Sequence, residues 1–362
     1  MLFLKFEQIF LHFLYNDLKV KLEGHHFFNE FNPGIGVTRK LGDTGLIGNT
    51  TIYATYKESS RTPSVAELGC ADPNQPCRLP NSFQADPPLD QVKNRSLEFG
   101  ARGVTNSYSL FGMDHNIKWN ATAFAGRNFN DIIFIGGNRV GTGYFRNVGN
   151  TQRMGTELAF NGMLGKKWSW YGNYSYVRAS FETHQKIASA GHSENPHACS
   201  GSDAYGATGA GDTNAENDQE SCENRESYQI QVGPGDTIPG VSPHIGRIGI
   251  GYAPINGLNL SLDTEYNSRQ FYRGDENNAE GKQVPGFFLL NASLEYNFSP
   301  NVSDNSPVNS TLIFIEGRNL LNTNFETGGI LAENEVEGTG NSGTFVTPGQ
   351  PLTIFGGIKF TW

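Results

Sequence analysis

The stretch Leu258-Asn259-Leu260-Ser261-Leu262-Asp263-Thr264-Glu265-Tyr266-Asn267 alternates with a period of two. Leu258, Leu260, Leu262, Thr264 and Tyr266 fall on one side; Asn259, Ser261, Asp263, Glu265 and Asn267 fall on the other. Successive side chains of a β-strand point to opposite faces, so this segment reads as a strand with one apolar and one polar face. Phe288–Phe298 repeats the pattern, with Phe288, Leu290, Ala292, Leu294, Tyr296 and Phe298 against Asn291, Ser293, Glu295 and Asn297. In Trp168–Val177, Trp168, Trp170, Tyr174 and Tyr176 oppose Ser169, Asn173 and Ser175. Ile117, Trp119, Ala121 and Ala123 oppose Lys118, Asn120 and Thr122, and Leu97, Phe99 and Ala101 oppose Glu98, Gly100 and Arg102.

Two environments give this pattern. A soluble sandwich or propeller buries the apolar face under protein, whereas a membrane barrel turns it to lipid and its polar face to the lumen. The runs are about 10 residues long, the length needed to cross a bilayer at about 45°. Aromatic residues gather toward run ends, as in the interfacial girdles of such barrels.

Composition agrees. The chain has 362 residues and a net charge of −9, which argues against a sequence-independent nucleic-acid binder. It holds 44 Gly and 12% aromatics but only 37% hydrophobic residues, a poor recipe for a helical core. No stretch has the roughly 18 uncharged apolar residues of a helical span, a test that strands escape. Met1 to Val20 carries Phe3, Phe6, Phe10, Phe13 and Leu14 at helix-like spacing, with Lys5 and Glu7 interrupting what a secretory signal needs. It reads as a short amphipathic helix or a damaged strand.

Candidate strands fall at 17–28, 35–42, 49–57, 94–104, 115–126, 147–161, 168–179, 244–254, 258–271, 286–298, 310–320 and 351–362. Every second connection is short, and those between are mostly long: 58–93, 181–243, 272–285 and 321–350. Short turns on one side and long loops on the other are expected of a bacterial outer-membrane barrel, with the long loops outside the cell. The last strand then ends on the periplasmic side. The insert at 196–226 is small, acidic and amide-rich, and reads as a solvated loop.

Several segments then resemble the TonB-dependent outer-membrane receptors. They are Phe31-Asn32-Pro33-Gly34-Ile35-Gly36 followed by Ile52-Tyr53-Ala54-Thr55-Tyr56 and Ser60-Arg61-Thr62-Pro63-Ser64-Val65-Ala66-Glu67-Leu68; Tyr144-Phe145-Arg146-Asn147-Val148-Gly149-Asn150-Thr151 with Gly155-Thr156-Glu157-Leu158; Glu316-Gly317-Arg318-Asn319-Leu320-Leu321-Asn322; and the closing strand Pro351 to Trp362. The resemblance implies an all-β, antiparallel transmembrane β-barrel, here about 12 strands of a 22-stranded barrel. Residues 1–16 would be a short non-barrel segment and 17–362 the C-terminal portion of the barrel, without the family's plug domain. It implies a receptor and transporter in the outer membrane of a Gram-negative bacterium, importing a scarce nutrient such as an iron chelate. Energy would come from the TonB complex, through an N-terminal part that this fragment lacks. Partners would be membrane lipid and a small-molecule ligand, not nucleic acid. A passive porin-like barrel and a soluble all-β binding module remain the alternatives.

Ligand contacts are expected on the loops from Arg61, Arg127, Arg139, Tyr144, Arg146, Tyr272 and Arg273, because arginine and aromatic side chains grip a planar anionic chelate. Cys70 and Cys77 share one long loop, Cys199 and Cys222 another, so the disulfides Cys70–Cys77 and Cys199–Cys222 are expected. His184, His192, His197 and Cys199 fit no standard zinc spacing, and no metal or cofactor is assigned. Ser64 and Glu67 fit a capping box after Pro63. Nucleophile-elbow, Walker A and HExxH signatures are missing, so no catalytic residue is assigned.

Overall fold

In the computed structural model, described over residues 6–8, 26–72, 77–78, 89–136, 142–189, 192–193, 229–298, 310–333 and 342–361, the alternating segments become one long sheet. Its strands are β1 Gly34–Asp43, β2 Asn49–Arg61, β3 Val92–Val104, β4 Met113–Phe129, β5 Thr151–Leu164, β6 Trp168–Phe181, β7 His244–Tyr252, β8 Leu258–Asn267, β9 Phe287–Phe298, β10 Ser310–Arg318 and β11 Thr353–Thr361. Each pairs antiparallel with the next in chain order, and Tyr108–Leu110 adds a twelfth strand beside β4. The sheet stays open, with β1 and β11 as its edges. Of the expected strand 17–28, only His26–Phe28 are described. They pair with Phe6–Gln8 in a separate ribbon, and 9–25 lie outside the described residues. The expected strand 147–161 divides at Val148 to Asn150 into a short strand and β5.

Register carries the two faces across the sheet. Leu260 sits opposite Tyr252 and Leu294, Leu294 opposite Ile315, and Ile313 opposite Ile358. No second layer covers this apolar side among the described residues: Phe99 is 58% exposed, Ile248 63% and Ile354 67%. The opposite side is laced by hydrogen bonds. Arg247 Nη2 donates to Glu265 at 2.9 Å, Asn291 Nδ2 to Asp263 at 3.0 Å, and the Ser261 and Ser293 hydroxyls meet at 2.7 Å. A soluble sandwich would reverse these surroundings.

The tight turns explain themselves locally. Gly48 has φ 65° between the 3-10 turn Gly45–Ile47 and β2, and a Cβ there would lie 2.1 Å from the Val104 carbonyl oxygen. Gly257, at φ 83°, sits as closely on the Asn297 carbonyl, at 2.3 Å. Only glycine combines that backbone with that approach.

The apolar side chains that are buried gather at the long-loop end. Ile135, Tyr144, Val148, Ala179, Phe181, Ile187, Ile230, Val232 and Ile238 make one core; Leu68, Ala71, Leu89, Val92 and Ile132 make a second; Tyr272, Val284 and Leu331 make a third. The long connections are therefore folded. Gln185–Ala188 pairs with Gln229–Val232, Gln270–Phe271 with Gln283–Val284, and Glu326–Glu333 with Ser342–Pro348. The expected solvated loop at 196–226 lies outside the described residues.

Candidate functional site at the long-loop end

Loop cores over a sheet end make a platform whose polar groups can meet a ligand. Its first support is the helical turn α1 Val65–Leu68. The expected capping box is present: Ser64 Oγ accepts from the Glu67 amide at 3.2 Å, and Glu67 Oε2 accepts from the Ser64 amide at 2.6 Å. Glu67 also takes Arg61 Nη1 at 2.6 Å. Burial raises the Glu67 pKa, but Arg61 and the Ser64 donors outweigh it and hold the carboxyl below its ordinary value.

The second support is Asp131, at the bend after β4. Its Oδ2 accepts from Thr151 Oγ1 at 2.6 Å, Asn128 Nδ2 at 3.1 Å and Arg153 Nη1 at 3.1 Å. Burial opposes the charge, yet these donors and the Arg153 cation keep the Asp131 pKa low. Asp131 thus locks the start of β5 onto the end of β4.

The third support joins two loops distant in sequence. His192 is sealed from solvent, with Nε2 2.9 Å from Asn277 Oδ1 and 3.4 Å from Asp275 Oδ1, and Nδ1 3.7 Å from Glu280 Oε1. Ser189 Oγ donates to the Gly274 carbonyl at 2.5 Å, and the Ser193 amide donates to Glu280. Burial disfavours the imidazolium, but Asp275, Glu280 and Asn277 together raise the His192 pKa. Burial, reinforced by the Asp275 charge, pushes Glu276 up to about 7. Asp275 Oδ2 and Glu276 Oε2 are buried without a hydrogen-bond partner among the described residues. The sequence gives no mark of this cluster: by its surroundings His192 reads as a flexible, solvent-exposed histidine, yet it is sealed, and the acids at 275–280 fall in no motif.

The expected ligand residues do not converge on one point. Arg61 ends β2 and is tied to Glu67. Tyr144 is buried in the first core and Tyr272 in the third, each only 7% exposed. Burial raises both phenol pKa values. Arg146 lies beside Tyr144, its Nη2 donating to the Lys186 carbonyl at 2.8 Å. Arg273 is exposed, its backbone bonded to Gly329 and Leu331. Arg127 is not on a loop: β4 runs on to Phe129 and carries it. Arg139 lies outside the described residues.

Cys70 carries no free thiol, but neither expected pairing is shown, because the Cys77 side chain and all of Cys199 and Cys222 lie outside the described residues. The backbones of Cys70 and Cys77 do meet one strand, Thr142–Asn147: the Cys70 carbonyl accepts from the Phe145 amide at 2.6 Å, and Cys77 stands opposite Gly143.

Comparison with known proteins gives a consistent answer. The family model described as "TonB dependent receptor-like, beta-barrel" matches residues 15–320. No curated protein matches the chain. The structure of the "Copper transporter OprC" superposes with a TM-score of 0.55 at 15% identity, over 96% of this chain and 42% of that one. The ferric-catecholate import receptor Fiu from E. coli K12 gives 0.52 at 16%, over 94% and 36%. The siderophore receptor PiuA from Acinetobacter baumannii gives 0.54 at 15%, over 95% and 38%. At such identities the likeness shows the fold, and the chain spans about two fifths of the length of these structures. With most of its length matched by the family model and its open antiparallel sheet matched by these barrels, the chain belongs to the TonB-dependent receptor family, within that family's β-barrel.

Proposed function

We propose that this chain forms an arc of the barrel wall of an outer-membrane receptor that imports a small, scarce nutrient. The observation that carries this reading is the uncovered apolar face, backed by a hydrogen-bonded polar face, on strands joined alternately by short turns and folded long loops. In lipid, that apolar face is satisfied by hydrocarbon and needs no second protein layer. The two open edges call for further strands, because unpaired backbone groups are not tolerated in hydrocarbon. Energy coupling through TonB would belong to the assembled receptor.

For the ligand, an iron chelate is the class we favour. Its support is that the ferric-catecholate import receptor and the siderophore receptor share the fold. On this chain Arg146 and Arg273 are the best placed of the expected residues, since they flank separate loop cores and neither forms an ion pair among the described residues. Tyr144 and Tyr272 shape the surface beneath them. The reading also keeps the bridges Cys70–Cys77 and Cys199–Cys222 as loop staples.

Fractionation and refolding test it. The chain should partition into detergent or vesicles with β-sheet circular dichroism, and loading with ferric chelates should quench its tryptophan fluorescence less in an Arg146→Ala/Arg273→Ala variant. Recovery of the chain as a folded, detergent-free monomer would overturn the membrane reading.

A further inference from the structure

On β4, Ile117, Trp119, Ala121, Ala123 and Ala125 face the apolar side, and the register to β3 and β5 runs without a bulge to the strand end. Arg127 and Phe129 therefore stand on that side too. Arg127 lies directly opposite Arg95 on β3, and Phe129 opposite Lys93. Arg178 on β6 shares the side, since it lies opposite Met154, which lies opposite Ala125. Arg95, Arg127 and Arg178 are all exposed. Cations thus stand at the long-loop end of this face, next to Leu97, Phe99, Ala123 and Ala125.

Charge balance makes this placement unusual. Like charges directly opposite across two strands destabilise a sheet, and a cation on a lipid-facing position is tolerated only near the interface. Glu58 lies 3.3 Å from Arg95, and Glu30 2.7 Å from Lys93. Among the described residues Arg127 and Arg178 have no carboxylate partner. The guanidinium carbons of Arg95 and Arg127 lie 5.2 and 5.6 Å from the Phe129 ring centre, which holds both forks at one level. The short-turn end of the same face is built differently, from Trp119, Trp170 and the stacked pair Trp168 and Tyr252, 4.1 Å apart. Lys93, Arg95, Arg127 and Arg178 stand at the long-loop end, and among the described strands Arg39, opposite Ile52, is the one further lysine or arginine on this side, nearer the short turns.

We propose that Arg95, Arg127 and Arg178 form an outward-facing site for the phosphate of a membrane-lipid headgroup at the long-loop end. This rests on the reading that the apolar face meets lipid. The guanidinium forks match phosphate oxygens bidentately. Leu97, Ala125 and Met154 stand one row nearer the sheet centre than Arg95 and Arg127, in the row that continues to Arg178, and lie where the acyl chains would descend.

The test uses the full chain in a zwitterionic detergent, with lipid binding counted by native mass spectrometry. Phosphatidic acid should bind at least about tenfold more tightly than the matching diacylglycerol, the effect of one charge-assisted contact. An Arg127→Gln/Arg178→Gln variant should lose that preference, while a Lys166→Gln/Lys167→Gln variant at a short turn should keep it. Equal binding of the two lipids, or an equal loss in the lysine variant, overturns the site. Competition by inorganic phosphate at the same concentration as the lipid assigns a free-anion site and overturns the lipid assignment. Should the double variant lose its β-sheet dichroism, Arg127→Gln alone carries the same comparison. A chain that refuses detergent before any lipid is added overturns the membrane reading itself, which separates the two failures.

Discussion

His192 and Asp275, 83 residues apart in sequence, face each other at 3.4 Å with both side chains sealed from solvent. They clamp the loop after β6 to the loop after β8. Glu276 and Glu280 complete the cluster.

That cluster makes loop stability depend on pH. The folded pKa of Glu276 is raised from 4.5 to about 7, and that of His192 is raised above 6.5. Both groups bind protons more tightly when folded, so their stabilisation is present at low pH and lost as pH rises through the folded values. For Glu276 alone the loss is up to roughly 3 kcal/mol, at 1.36 kcal/mol per pKa unit. Amide protection in 185–193 and 272–284, taken relative to the base-catalysed exchange of an unfolded chain at each pH, should therefore fall between about pH 5 and pH 8. Glu276→Gln should flatten that profile; an unchanged profile would show that Glu276 does not couple the loops to pH.

Asp131 is the hub between β4 and β5, so Asp131→Ala should cost about 2–3 kcal/mol by stranding the donors of Thr151 and Asn128 and the charge of Arg153. Asp131→Asn should recover part of that loss. Chemical denaturation in detergent measures both, and a loss below about 0.5 kcal/mol, typical of ordinary surface sites, would remove Asp131 from this role.

The two faces of β5 should respond oppositely to charge. Leu158 lies on the apolar side and is 43% exposed, while Glu157 lies on the polar side. Leu158→Arg should cost about 2–4 kcal/mol in bilayers. Glu157→Gln should stay within about 0.5 kcal/mol. The reverse order in refolding titrations would sink the assignment of faces.

Thiol titration of the unfolded chain without reductant should find no reactive cysteine. Detection of four free thiols would rule out both expected bridges.

Much of this was readable in the residues. The alternation in Leu258–Asn267 has the bounds of β8, although the expected strand 258–271 overruns it and Gln270–Phe271 pairs instead with Gln283–Val284; β6 and β9 begin within one residue of the alternation at Trp168 and Phe288. The segments quoted around Asn32, Tyr144 and Asn319 named the family that the family model matches. The capping box at Ser64 was legible because its two bonds span three residues. The apolar run of 115–126 leaves Arg127 on a loop, but β4 continues to Phe129, and only the register with β3 shows where Arg127 stands.

Period two, turn glycines and loop lengths are local properties, and they determined by themselves that the chain makes an antiparallel sheet with one apolar side. Pairings between distant segments carry no such local mark. The hairpin of Gln185–Ala188 with Gln229–Val232, the facing of His192 and Asp275, and the shared end of Arg95, Arg127 and Arg178 were decided only in the tertiary structure. The reason is physical: closing a long loop costs entropy that grows only slowly with its length, so many distant partners are nearly equivalent until packing of the loop cores selects one.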